Sequence, residues 1–478
     1  MRLDKCVTVD NVNQNLLRVR YAVRGPILER AEQIERELEK GVAKPFECVV
    51  RANIGDCHAL GQKPITFIRQ VVALAACPQL LASPDFPEDA KRRARDLLDD
   101  CIESSVGAYS PSAGLALVRA DAAAYMRARD GAPASPEDVY LGSGASDLIK
   151  AVLTMFVENV SGKPPAVMIP IPQYPLFSGT LAELGLVQVD YYLDEERGWA
   201  LDVGELERSL RGASAGCHVR ALVIINPGNP TGQVLTRQNM EEIVKFAYEH
   251  GLFLLADEVY QENIISKPFH SFKKVMHEMG PPYSQMELAS FMTLSKGWAA
   301  ECGLRAGLVE LVRLQAGVAA AFRSARAVMQ CPTVLGQCAL HCVVRPPRAG
   351  EPSHEQFARE RRGVHRALTE RAAAAHSTFN SIPGYSCNSI DGSMFAFPRI
   401  ELPESAQRAA RDCGLLPDEF YCLRLLEETG VCVIPGSGFG QRPGTWHFRT
   451  TILHTRDQFQ HMMDSIRRFH LQFLQQYP

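Results

Sequence analysis

Between Val139 and about Leu311 the sequence alternates short apolar runs with amphipathic helical stretches, and a chain so patterned has few folds open to it. Runs of four to eight apolar residues need cover on both faces, and interleaved helices supply it, so the pattern predicts a mainly parallel α/β sheet. Val139–Leu141, Ala166–Pro172, Leu186–Tyr192, Ala221–Ile225, Leu252–Ala256 and Ala289–Leu294 read as its strands. Sheets of this kind bind ligands beyond the carboxyl ends of their strands, so the residues just after each run are where chemistry is sought.

Gly142-Ser143-Gly144-Ala145-Ser146 follows the first run and opens a helix carrying Leu148, Ile149, Val152, Leu153, Phe156 and Val157 on one face. With Ser146 as the expected N-cap, the free N–H groups there form an anion site that suits a phosphate; glycine kept for packing is the alternative. Tyr174 is delivered to a loop by Gln173-Tyr174-Pro175, as a core aromatic or a ring partner. Asn226-Pro-Gly-Asn229-Pro-Thr-Gly232 sets two Asn-Pro steps around a glycine, a tight turn in its own right but one placed at the ligand edge. Asp257 directly follows a fully apolar strand, a costly place for a carboxylate unless a cation or strong donors meet it, and Tyr260 lies three residues on. Lys296 emerges in Ser295-Lys296-Gly297, after the sixth run. Burial would lower the pKa of its amine and make it a nucleophile toward a carbonyl, as a Schiff base requires; a surface lysine beside a turn is the plain alternative.

Each signal alone is weak, but together they supply what pyridoxal 5'-phosphate needs. Lys296 offers the amine, and Asp257 would hold a proton on the pyridine nitrogen. Asn229 and Tyr260 can donate to the phenolic oxygen, and Tyr174 can cover the ring. Gly144, Ala145 and Ser146, with Ser295 and Arg305, can hold the phosphate.

These motifs, with Gly303-Leu-Arg-Ala-Gly307, resemble the fold type I pyridoxal-phosphate transferases of the aspartate aminotransferase superfamily, class I/II. The alanine aminotransferase branch is matched most fully, through Asn53-Ile-Gly-Asp56, Gly61-Gln62, Pro64-Ile-Thr-Phe67, Gly107-Ala-Tyr-Ser110, Gly144-Ala-Ser-Asp147, Pro172-Gln-Tyr-Pro175, Leu423–Gly430 and Pro435–Gly440. Lys296 and Arg305 are nine positions apart, with Glu301 and Cys302 between them, one residue more than in aspartate aminotransferases and aminocyclopropane-carboxylate synthases. Ala306, Pro111 and Ala113 depart from the pattern. The resemblance implies a large domain with a mainly parallel seven-stranded sheet and a smaller α/β domain from both chain ends. It divides the chain into an N-terminal arm with part of the small domain (1–85), a large cofactor-binding domain (86–345) and a C-terminal small domain (346–478). Arg449 sits inside the apolar run Trp446–Leu453, where a buried guanidinium requires a carboxylate partner. The likeness makes that partner the α-carboxylate of the substrate, with Gly55 lending backbone contact. It also implies a homodimer in which Tyr109 reaches the cofactor phosphate of the neighbouring subunit. The reaction implied is ping-pong transamination of L-alanine and 2-oxoglutarate through a Lys296 Schiff base. A glutamate:glyoxylate or other amino-donor enzyme is the alternative, and a non-catalytic cofactor-binding regulator a more distant one.

Elsewhere, Ile27, Leu28, Ala31, Ile34 and Leu38 predict a helix after Pro26 that stops at Gly41. Ser353 and Gln356 read as a capping box opening a long helix with Phe357, Val364 and Leu368 inward. The segment from Ser386 to Pro398 reads as strand and turn, and Val431–Ile434 as a strand whose glycine loop, Gly436-Ser437-Gly438, serves packing. A net charge of -3 carries no basic excess for nucleic acid, and no apolar run reaches membrane-span length. The fourteen cysteines include no Cys-x-x-Cys and no metal is expected, although Cys338 and Cys342 fit a helix face as well as a metal site. Arg2, Asp4, Lys5 and Asp10 without an apolar block do not make a secretory signal, and the cytoplasm is expected, with the mitochondrion as the alternative.

Overall fold

The computed structural model describes residues 5–21 and 25–478; Arg2 and Asp4 lie outside the described residues. Seven strands form the central sheet: β1 (Val139–Gly142), β2 (Pro165–Ile171), β3 (Val187–Tyr192), β4 (His218–Ile225), β5 (Phe253–Asp257), β6 (Leu288–Thr293) and β7 (Gly307–Val312). Their spatial order is β1-β7-β6-β5-β4-β2-β3. Only β7 runs antiparallel to its neighbours, so the sheet is mainly parallel as expected. Every residue of β2, β5 and β6 is buried, because helices cover both faces. The edge strand β3 instead alternates, with Val189 and Tyr191 buried and Gln188 and Asp190 exposed. On one face Leu148, Ile149, Phe177 and Phe291 pack together; on the other Leu254, Met240, Ile243, Phe246 and Phe272 do.

A second assembly is drawn from both chain ends. Val50–Arg51 pairs in parallel with Val431–Cys432, and Phe448–Thr451 lies between Phe395–Ala396 and Ile434–Pro435. The helix His354–Asn380 joins the two cores: Phe357 packs with residues of β1 and β7, whereas Leu368, Ala372, Ala375 and Phe379 pack against Tyr421, Phe448 and Phe469. At 1.5 Å per residue it is about 40 Å long, enough to reach from one core into the other.

Local expectations are corrected in several places. Ser146 is not the N-cap of its helix, Ala145–Leu153; Gly144 is, at φ +90, and Ser146 lies within the first turn. The turn needs a glycine there, since a β-carbon on Gly144 would stand 2.5 Å from Arg305 Nη2. The capping box at Ser353 does not form either. Its hydroxyl and N–H both donate to the buried Asp89, and Gln356 donates to Thr66 and Glu360. Ser386–Pro398 is mostly irregular, with strand only at its margins, because its backbone instead meets the Asn226–Gly232 turn: Asp391 and Gly392 N–H donate to Gly232 O.

Candidate active site

The loops after β1, β2, β4, β5 and β6 open into one cavity of about 260 Å³, which also takes in Gly55, Phe395 and Arg449 from the chain ends. The sheet register brings the first parts together. In the antiparallel pairing of β1 with β7, Gly142 faces Gly307, and a β-carbon on Gly307 would lie 2.8 Å from Ala145 N. That glycine lets the helix N-terminus approach the strand, so Gly144, Ala145 and Ser146 meet Ser295 and Arg305. Arg305, held at φ +49, donates to Ser295 Oγ (3.3 Å) and to the carbonyls of Cys302 (3.2 Å) and Ser143 (3.2 Å). Exposed N–H groups of a helix start, a hydroxyl and a guanidinium are the donor set that binds a phosphate dianion.

Asp257 ends β5 and is 3% exposed. Burial pushes its carboxyl up to about 7, against the Val259 N–H and the charge of Lys296, which pull it down. A cationic N–H set against it would be gripped strongly. The neighbouring loop is fixed to it, since Asn226 N–H donates to Asp257 O at 3.0 Å. Asn229 then lies between two site residues: its Nδ2 is 3.5 Å from the Tyr260 hydroxyl, and its Oδ1 accepts from Arg449 Nη1 at 3.1 Å.

Lys296 Nζ donates to Gly55 O at 3.0 Å and lies 5.8 Å from the centre of the Tyr260 ring. The expectation of a depressed amine is not met. Burial, the largest cause, pulls it down, while the phenol of Tyr260 and the thiols of Cys302 and Cys57 raise it, and the direction is above the ordinary lysine value. Burial raises those three groups as well, so they oppose desolvation only where they ionise.

Arg449 is 2% exposed and lies between the rings of Phe395 and Phe439, its guanidinium carbon 4.0 and 4.7 Å from their centres. Beyond Asn229 it donates to Asn53 O at 2.8 Å, while Nε has no partner. Burial lowers it to about 10. Among the described residues no carboxylate pairs with it, so a buried cation is left facing the cavity, as a site for an incoming carboxylate requires.

Tyr174 reaches the cavity, and its hydroxyl is 2.9 Å from that of Tyr21, on the N-terminal arm. Tyr109 is not brought in: it is 71% exposed and does not line the cavity. Tyr21, Phe395 and Phe439 carry no motif and have no signal in the sequence. Asn53 has one, its place beside Ile54 and Gly55, and its role is to accept from Arg449.

Comparisons with known proteins bear on identity. A sequence profile of the family described as aminotransferase class I and II matches residues 79–466. The chain is 54% identical over 477 residues to alanine aminotransferase 1 of Homo sapiens, covering 99% of this chain and 96% of that protein. Over 478 residues it is 53% identical to alanine aminotransferase 1 of Bos taurus, with the same coverage of 99% and 96%. Among solved structures it superposes on an alanine aminotransferase from Pyrococcus furiosus with a TM-score of 0.75 at 21% identity, over 97% of this chain and 100% of that one, a likeness of fold alone.

Proposed function

The chain belongs to the class I and II aminotransferases, and from that premise we propose that it moves the amino group of L-alanine to 2-oxoglutarate, with pyridoxal 5'-phosphate attached at Lys296. Membership makes it a pyridoxal-phosphate-dependent transaminase acting on amino acids and 2-oxo acids; near-complete likeness to alanine aminotransferases supports the choice of donor over the glutamate:glyoxylate alternative.

The residues present fit the cofactor. The glycine at 144 leaves room for Arg305, the cavity edge offers a phosphate donor set, and the unpartnered Arg449 Nε offers a donor to a carboxylate. When bound, pyridoxal 5'-phosphate supplies an aldehyde carbon for amine exchange and a protonated ring that draws electrons from the substrate's α-carbon. Gly144, Ala145, Ser146, Ser295 and Arg305 would hold the phosphate. Asp257 would keep the proton on the ring nitrogen, Asn229 and Tyr260 would donate to the phenolic oxygen, and Tyr174 would cover the ring. Arg449 fixes the α-carboxylate of the donor, beside Gly55. The Lys296 amine, once free and neutral, takes the proton from the donor's α-carbon and returns it to the other side of the exchange, acting as general base and then acid. Phe395 helps to exclude water: it lies so close to Gly55 that a β-carbon there would be 2.7 Å from its ring.

The exposed Tyr109 supports a homodimer in which this side chain serves the second copy's phosphate. Sedimentation should find a dimer, and a fully active monomer would sink that arrangement. The division at residues 85 and 345 belongs to the same reading. The cytoplasm is the compartment it assigns. Among the described residues no helix is long and apolar enough to cross a membrane.

The donor is tested by adding L-alanine to the purified protein loaded with cofactor and following the cofactor's absorbance, then comparing pyruvate with glyoxylate as acceptor. No spectral change with L-alanine would remove alanine as the donor.

A further inference from the structure

Glu301 belongs to the stretch that sets the spacing between Lys296 and Arg305, and the structure gives it a partner far away in sequence. Its carboxylate is almost wholly buried, 3% exposed, and receives two parallel hydrogen bonds from Arg69: Nε to Oε1 at 2.6 Å and Nη2 to Oε2 at 2.9 Å. His58 Nδ1 stands 3.8 Å from the same carboxylate. The backbone of Glu301 is tied as well, its N–H donating to Leu294 O at 3.1 Å, while Leu294 N–H donates to Ala306 O at 3.0 Å. The loop between β6 and β7 is thereby closed at its neck and tied to Arg69 at Glu301.

Arg69 comes from a helix that is itself anchored. Thr66 opens the helix Thr66–Ala76, and its N–H and hydroxyl donate to Glu360 of the long helix at 2.9 and 2.6 Å. Two further bonds run between the same stretches of chain: Gln62 Nε2 to Trp298 O at 3.1 Å and Lys296 Nζ to Gly55 O at 3.0 Å. Residues 55–69 are therefore buttoned to residues 296–301 at three points, and the strongest of them is the bidentate one. Lys296 lies on one side of Glu301 and Arg305 on the other, and Ala300 N–H donates to Lys296 O at 3.3 Å. Whatever fixes Glu301 fixes the separation of the amine from the guanidinium.

We propose that Arg69 and Glu301 are positioning residues for transamination, a clasp that sets where Lys296 and Arg305 stand relative to each other and to Gly55. The inference rests on the proposed function, in which Lys296 carries the cofactor and Arg305 holds its phosphate. Its energetic root is asymmetric: the carboxylate is buried while Arg69 is half exposed, so removing Arg69 replaces a two-bond partner by water and leaves only His58 beside the charge, which frees the loop.

The test uses the cofactor-loaded protein and the variants Arg69→Ala, Glu301→Gln and Arg69→Lys. Cofactor dissociation, the cofactor's absorbance spectrum, kcat, KM for the amino donor and thermal midpoint are all measured. Arg69→Ala and Glu301→Gln should release cofactor at least about tenfold faster, shift the spectrum and lower kcat by a larger factor than they raise KM, because Gly55 shifts while Arg449 is untouched. Arg69→Lys keeps the charge but not the fork, and should fall between them and the parent. A drop in thermal midpoint with unchanged cofactor release, spectrum and kcat would make the pair merely structural and overturn the proposal. Should the first two variants fail to fold, Arg69→Lys decides: faster release at an unchanged midpoint upholds the clasp, and unchanged release overturns it. A parent protein that takes up no pyridoxal 5'-phosphate would overturn the underlying functional reading, a result visible before any variant is compared.

Discussion

Replacing Asp257 by asparagine should alter how the stability of the cofactor-stripped chain varies with pH, by an amount that follows from burial. The carboxyl is raised from 3.8 to about 7 in the folded chain, burial being the main cause, so between those values the folded chain holds a proton that the unfolded chain has lost. More protons are bound folded than unfolded, and stability therefore falls as pH rises through this window. Each pH unit costs about 1.4 kcal/mol per proton, and a window of about three units amounts to roughly 4 kcal/mol. Asparagine has no such proton. The variant should match the parent near pH 4 and gain on it steadily, by up to about 4 kcal/mol near pH 8. Glu258, pushed up to about 7 mainly by burial as well, contributes a similar slope to both proteins and drops out of the difference. Urea unfolding of the two stripped proteins from pH 5 to 8 measures it. Parallel curves would refute the reasoning, for they would mean that the Asp257 site is hydrated or ion-paired enough to ionise normally. In the loaded enzyme the same change should lower kcat, because the ring nitrogen loses the anion that keeps it protonated.

Other outcomes follow from the same geometry. Lys296→Ala should abolish turnover while leaving the far-ultraviolet circular dichroism unchanged; retained turnover would remove the lysine from the reaction. Arg449→Lys should lower kcat/KM for the amino donor about a hundredfold, roughly the loss of one charge-assisted bond and the bidentate fork, with cofactor uptake unaltered. Equal kcat/KM would mean that the carboxylate is held elsewhere. Gly144→Ala places a methyl carbon 2.5 Å from Arg305 at a φ of +90, and equilibrium titration should find cofactor affinity reduced at least about tenfold. Affinity equal to the parent's would show that the guanidinium moves aside without cost.

The sheet was readable because its strands are buried on both faces, so apolar runs such as Phe253–Ala256 stand out against the helices between them. Site residues next to such runs were readable for the same reason: Asp257 ends a strand, Asn229 and Lys296 follow strands closely, and strand ends converge. Capping was read less well. Ser146 and Ser353 have suitable side chains, but Arg305 demanded a glycine ahead of the first and the buried Asp89 claimed the second. The raised amine of Lys296 was not legible because only folding brings Cys57, from the N-terminal part of the chain, and the phenol of Tyr260 close enough to act on it together with Cys302. Phe395 and Phe439, which flank Arg449, were invisible for a related reason. They lie in irregular or short elements, and only tertiary packing brings them to the guanidinium.

The pairing of Val50–Arg51 with Val431–Cys432 has a consequence for how the protein is made. A chain growing from its N-terminus has Gly144, Asp257 and Lys296 in hand once β7 is complete, so the phosphate and ring end of the pocket can assemble while synthesis continues. Arg449 comes much later, and the early segment bearing Asn53 and Gly55 has no strand to lie against until Val431 arrives. Closing so long a loop is entropically slow. The order of synthesis thus separates the two halves of the site: a nascent chain acquires a place for the cofactor before it has Arg449 to grip a substrate carboxylate.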